Sequence, residues 1–207
     1  MTPRAAPCRL AVGAIGLGWV LLAGGCSTAA LPERFHTLLA VDRAAVAAPA
    51  DLIRIEVAAV SVPPQVDHAQ WVVRQADDSL LLLEQDRWAA PLRDELRGAI
   101  ADRLFARWSA IDVRGVAAAA APSWRLRVDV QRFESIPGRQ ARLEATWSLS
   151  PSRPDTPGVV CRSALSEAPA GGDVAALAAA HRRAVQRLAD EIGQRLAALH
   201  AGTAAGC

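Results

Sequence analysis

WRLRVDVQRFESIPGRQARLEATWSLS, residues 124–150, is the stretch that decides the fold. Trp124, Leu126, Val128 and Val130 alternate with Arg125, Arg127 and Asp129. A period of two puts one face of a strand on a core and leaves the other in water. The alternation runs on through Gln131 to Phe133, and Ile136–Gln140 carries the Pro-Gly pair that turns a chain back on itself. Leu143, Ala145, Trp147 and Leu149 then share one face of a returning strand, Ala141–Ser150. Two long alternating strands joined by a tight turn describe an antiparallel sheet with one solvated face.

The rest follows outward from that pair. Downstream, a Pro-rich turn (PSRPDTPG, 151–158) leads to a strand over Val159–Leu165. Gly171-Gly172-Asp173 then opens a long helix with Asp173 as N-cap. Its apolar stripe is Val174, Leu177, His181, Val185, Leu188, Ile192, Leu196 and Leu199. Upstream, an alanine-rich linker (117–121) and a short apolar segment, Ile111–Val113, follow a first helix over Ala90–Trp108. Pro91 suits its first turn. Leu92, Leu96, Ala99, Ile100 and Leu104 form one face of it, opposite Arg93, Asp94, Arg97 and Asp102. Before it, Trp71–Arg74, the turn Ala76–Ser79 and Leu80–Glu84 read as a hairpin. Ile53–Val60 reads as an alternating strand ended by Pro63-Pro64. This order predicts an α+β fold: a two-layer sandwich, a mostly antiparallel mixed sheet with two long helices packed on one face.

The N-terminus has a different character. Arg4 and Arg9 precede an apolar run, Leu10–Ala23, then Gly24, Gly25 and Cys26. A basic start, a short apolar core and small residues before a cut describe a secretory signal. Its apolar run of 14 residues is shorter than the roughly 20 a spanning helix needs. Cys26 directly after the small pair makes the pattern similar to a bacterial lipobox, with Ala23 where leucine is usual and Leu22 one place earlier. The other reading is an ordinary signal peptide with an incidental cysteine. On the lipobox reading Cys26 is lipidated, and the durable membrane hold comes from two or three acyl chains, since one chain binds only marginally. Ser27, instead of the aspartate that commonly retains lipoproteins at the inner membrane, points to the periplasmic face of the outer membrane. The expected organisation is a removed signal peptide (1–25), a lipidated tether (26–50) with room for a short strand at Phe35–Leu38, one domain (51–200) and a flexible tail (201–207).

Removing Arg4 and Arg9 with the signal leaves 21 basic and 21 acidic side chains out of the precursor's 23 and 21. That balance argues against nucleic acid as a partner, which needs a basic face. All basic residues are arginine, and tyrosine and asparagine are absent, which looks like coding bias rather than function. With Cys8 removed and Cys26 modified, Cys161 and Cys207 remain. In an oxidising compartment they are either the halves of a disulfide or a small buried strand residue and a frayed end.

Nothing in the chain assembles catalysis or metal binding. His36, His68, His181 and His200 are scattered, with no HExxH pair, no CxxC spacing and no GxSxG. His181 lies on an apolar stripe and reads as a packing residue. Glu84, Asp86 and Arg87 read as a solvated charge cluster. No nucleophile, base and orienting group come together. The chain is not expected to be an enzyme, and no cofactor is implied.

Trp71-Val72-Val73-Arg74, then Leu82-Leu83-Glu84, then Arg87-Trp88-Ala89-Ala90-Pro91-Leu92 resembles the PqiC-type ABC-transport auxiliary lipoproteins. Val128–Glu134 and the Gly172-Asp173 start with Ala179-Ala180-His181 are similar to further family features, so the resemblance covers roughly residues 33 to 200. Two departures are Gln85-Asp86, where an aromatic-His pair is common, and His36, where tyrosine is usual. The resemblance implies a lipoprotein on the inner face of the outer membrane. Its implied partners are an MCE-domain protein whose tunnel crosses the periplasm and inner-membrane transporter components, in a system that moves lipids and supports envelope integrity. It leaves open a homo-oligomer, an ABC transporter of another cargo and a purely structural envelope role. Arg87 and Trp88, at a strand end beside a helix start, are candidates for the partner surface, since Arg and Trp are enriched at interface hot spots. The alternative is that Trp88 closes the core between helix and sheet while Arg87 pairs with Glu84.

Overall fold

The computed structural model describes residues 31–39, 52–115, 123–153, 157–203 and 206–207. The signal peptide, Cys26, most of the expected tether and the linker 117–121 lie outside the described residues. In chain order the elements are β1 (Arg34–His36), β2 (Ile53–Val57), β3 (Gln70–Arg74), β4 (Leu80–Trp88), α1 (Leu92–Trp108), β5 (Ala110–Asp112), β6 (Trp124–Ile136), β7 (Gln140–Pro151), β8 (Val159–Glu167) and α2 (Val174–His200). The α+β sandwich with two long helices is present, with its strands divided between two sheets. The larger sheet has the order β5-β2-β6-β7-β8 and the smaller β1-β4-β3.

The strands β6, β7 and β8 form an antiparallel meander, whereas β2 runs parallel to both β5 and β6. Strand β6 is longer than its sequence period suggests because Gln131 is bulged out of the ladder between Val130 and Arg132. The extra residue shifts the phase, so buried positions change from Val128 and Val130 to Phe133 and Ser135. At the β6–β7 turn Arg139 N–H donates to Ile136 C=O at 3.0 Å, with Pro137 then Gly138 at the centre. Gly138 has φ +66°, which the second central position of a type II turn demands.

Both helices pack on the larger sheet and on each other. The inward side chains of β6 and β7, among them Leu126, Val128, Leu143, Trp147 and Leu149, meet Leu177, Val185, Leu188, Ile192 and Leu196 of α2 in one buried cluster. Every member of the expected α2 stripe except Val174 is buried. Asp173 caps that helix, its carboxylate accepting from Ala176 N–H at 2.7 Å. Gly193 allows the close approach of the helices, since a Cβ there would enter the Trp108 ring of α1. Pro91 sits at the N-cap of α1, one place before its first turn, with Asp94 and Glu95 donating their N–H groups to its carbonyl.

The expected boundary at residue 51 is corrected by β1. Pro32–Cys207 makes one compact unit. Arg34, Phe35 and His36 pair in parallel with Asp86, Arg87 and Trp88, and Leu38 is fully buried in the core. A segment assigned to the tether is thus an edge strand of the domain. The tail is corrected as well: Cys207 is joined to Cys161 by a disulfide (Cα–Cα 5.6 Å), so the chain end lies on β8 rather than free.

Candidate functional site

The two sheets meet through an aromatic stack. Trp71 of β3 is fully buried and lies on Trp88 of β4, ring centroids 4.0 Å apart at 26°. Trp88 meets Phe133 of β6 edge-on at 5.9 Å, and Phe133 stacks on His181 of α2 at 3.9 Å. Trp88 is 6 % exposed, so as a partner-surface residue it is corrected: its area is already spent on Trp71 and Phe133. Arg87 is half-buried and pairs with Glu33 at 3.0 Å, not with Glu84.

The polar atoms of the stack form a short chain. Trp71 Nε1–H donates to Ser135 Oγ at 3.1 Å, and Ser135 Oγ lies 2.9 Å from His181 Nε2. An indole nitrogen can only donate, so the serine proton is free to point at Nε2 and the ring proton falls on Nδ1. Nδ1 has no partner among the described residues. Burial pushes the His181 pKa down to about 3, which keeps the imidazole neutral. A neutral, fully buried histidine stacked on phenylalanine is a packing residue with no access to a substrate.

Beside this stack β1 is clamped by charges. Arg34 donates to both oxygens of Asp86 (Nε 3.0 Å, guanidinium nitrogen 2.6 Å), and His36 Nε2 is 2.7 Å from the same carboxylate. Burial alone would raise the Asp86 pKa, but the bonds from Arg34 and His36 outweigh it and hold the carboxyl below its ordinary value. One turn into α1, the buried Glu95 accepts from Thr37 Oγ at 2.7 Å and from Leu38 N–H at 2.8 Å, and Arg182 of α2 donates to Thr37 C=O at 2.9 Å. The cluster read as solvated around Glu84, Asp86 and Arg87 is therefore split: Asp86 is buried and structural, and Glu84 is exposed. Glu95 was legible in principle, because it falls at i+3 from Leu92 on the apolar face of α1.

Arg34, His36 and Asp86 form one wall of an open cleft of about 740 Å³, whose other walls are Leu81–Gln85 and the start of α2 at Gly172–Leu177. On the far face of the larger sheet, Arg132, Arg142 and Arg162 surround Glu144 at 3.3, 2.5 and 3.0 Å. Burial would raise the Glu144 pKa, and Arg162, Arg142 and Arg132 together lower it instead. Among the described residues no group of three His, Cys, Asp or Glu side chains is placed to hold a metal, and no helix is long and apolar enough to cross a membrane. Neither the cleft nor the Glu144 cluster contains a nucleophile held by a base.

The family model for the ABC-type transport auxiliary lipoprotein component matches residues 36–193. The chain belongs to that family. Its members are auxiliary transport components rather than enzymes, in keeping with a site built from packing and ion pairs. The fold is similar to the crystal structure of a DUF330 protein from Xanthomonas campestris, at 25% identity, covering 79% of this chain and 94% of that one with a TM-score of 0.58. It is also similar to the crystal structure of an uncharacterised protein at 14% identity, covering 79% of this chain and 98% of that one with a TM-score of 0.63. No curated protein sequence matches the chain significantly.

Proposed function

We propose that this auxiliary lipoprotein is exported, cleaved before Cys26, lipidated on that cysteine and held on the periplasmic face of the outer membrane. There it serves an MCE-type ABC system that carries lipid between the membranes and so supports envelope integrity. The observation that carries the reading is the family match over residues 36–193 behind a basic, apolar, small-residue leader that ends at Cys26. The charge balance and the lack of a catalytic set among the described residues favour a docking role over a chemical one. The MCE-domain partner comes from the PqiC-like motifs, and the outer-membrane address from Ser27.

Affinity capture of the tagged, membrane-extracted protein tests the assignment. The expected result is recovery of an MCE-domain protein together with transporter subunits. Recovery of a permease and ATPase without an MCE-domain protein would assign the chain to another cargo, and recovery of neither would leave only a structural envelope role.

A further inference from the structure

Strand β4 departs from the rule that governs the larger sheet. In β6 the outward positions are Arg125, Arg127 and Asp129. In β4, Leu80, Leu81 and Leu82 are consecutive and 42 %, 44 % and 39 % exposed, so apolar side chains project from both faces of one strand. Phe35 of β1 adds a fourth, 62 % exposed. Strand β3 pairs with one edge of these leucines, but the other edge is open, because β1 pairs with β4 only at Asp86–Trp88 and no described strand lies on that side of Leu80–Gln85. An open edge with apolar side chains invites a partner.

Chain length and direction indicate which partner. Strand β1 is parallel to β4, Arg34 beside Asp86 and His36 beside Trp88, so going back from His36 to Arg34 the chain heads towards the leucine end of β4. Cys26 stands only six residues before Pro32, where the compact unit begins. Six extended residues reach at most about 20 Å. A lipid on Cys26 would therefore hold this end of the domain within about 20 Å of the bilayer, since the chain can reach no farther.

We propose that the exposed Leu80–Leu82 segment is a membrane-contacting edge, seated shallowly in the leaflet that holds the Cys26 lipid. The inference rests on the lipidation of Cys26 proposed above. The contact is shallow because an open strand edge cannot leave its backbone groups unpaired in hydrocarbon. Asp77 and Asp78 at the hairpin turn keep the tip itself in water, so the hairpin lies on its side. No basic cluster surrounds the leucines on β3 and β4, where Arg74 pairs with Glu134 at 2.8 Å, so the contact does not depend on anionic lipid.

The test uses the lipidated, full mature chain. With Cys26 acylated and Cys161 bridged to Cys207, a Leu81→Cys variant carries a single free thiol for an environment-sensitive fluorophore. In vesicles of phosphatidylethanolamine and phosphatidylglycerol, the probe at 81 is expected to shift to the blue and to be quenched by nitroxide-labelled acyl chains. A probe at Ile111→Cys on β5 is expected to do neither. A water-like, unquenched probe at 81 on protein that floats with the vesicles overturns the inference and leaves the anchor intact. Shielding that appears without vesicles and grows with protein concentration also overturns it, because a second copy then covers the edge. A protein that carries no lipid contradicts the anchor instead. The unlipidated mature chain then decides: weak vesicle binding lost in Leu80→Ser/Leu81→Ser/Leu82→Ser supports the surface, and binding unaffected by the triple change refutes it.

Discussion

The two sheets cover their apolar faces in different ways. The larger sheet lays Leu126, Val128, Leu143, Trp147 and Leu149 against the helices and turns mainly arginines and carboxylates outward, with Val160 and Ile111 as separate exposed apolar side chains. The smaller sheet buries one end, where Trp71 stacks on Trp88 and Trp88 meets Phe133 edge-on, and leaves Leu80–Leu82 in the open at the other. The open end of β4 is the part of the fold proposed above to meet the membrane. Its buried end is held by few contacts, each made across a long sequence distance: Arg34 with Asp86, Thr37 with Glu95, Trp71 with Ser135.

The difference can be broken by substitution. Trp71→Ala removes the ring that ties the small sheet to β6 and the indole N–H that Ser135 Oγ accepts, leaving that hydroxyl bonded only to His181. It should cost about 3–5 kcal/mol in chemical denaturation, the range for truncating a buried tryptophan. Trp147→Ala, on the larger sheet, should leave amide protection of β3 and β4 in place. If both variants lower protection uniformly, the sheets are one cooperative unit and the distinction is lost.

Cys207→Ser opens a bridge spanning 46 residues of sequence between the chain end and β8. A loss of about 2–4 kcal/mol is expected, chiefly through the freed unfolded chain. Exchange at β8 should rise while β3 and β4 are unchanged.

Acid should act on the other side. Asp86 titrates below its ordinary 3.8 in the folded state, because its bonds to Arg34 and His36 outweigh the cost of burial. Its contribution is therefore complete above that ordinary value and fades as pH falls through the lower, folded one. Amide exchange of the β1–β4 pairing, corrected for the intrinsic rate, should accelerate only in that acid window. In Asp86→Asn it should be fast at neutral pH and insensitive to acid. The smallest effect is expected at the open end, where Leu81→Ser should change the stability of the free protein by less than about 0.5 kcal/mol. A large loss would mean that the leucines serve the core.

The larger sheet and both helices were legible in the sequence because their signals are local: alternation over residues 124–130, a Pro-Gly turn, a capped helix with an unbroken stripe. His181 on that stripe also read correctly as packing. Strand β1 was legible only as a short strand at Phe35–Leu38 inside the tether; its place in the domain was not, since three residues paired some fifty positions away carry no period of their own. The bulge at Gln131 was hidden because it reverses the phase without a glycine to mark it. Trp88 misled for a physical reason: the large ring that makes tryptophan a hot spot at an interface makes it equally suited to a core, and sequence alone does not say which surface it meets. Of the candidate site, the motif around residues 71–92 was visible, but its buried carboxylates were not: Asp86 read as solvated charge, and Glu95 was not singled out.

The whole account depends on Cys26 joining this domain to a membrane. Mass spectrometry of the N-terminal peptide from membrane-extracted protein tests that most directly. The account predicts a peptide that begins at Cys26 and carries acyl chains on it. A peptide that retains residues 1–25, begins elsewhere, or carries an unmodified Cys26 would contradict it.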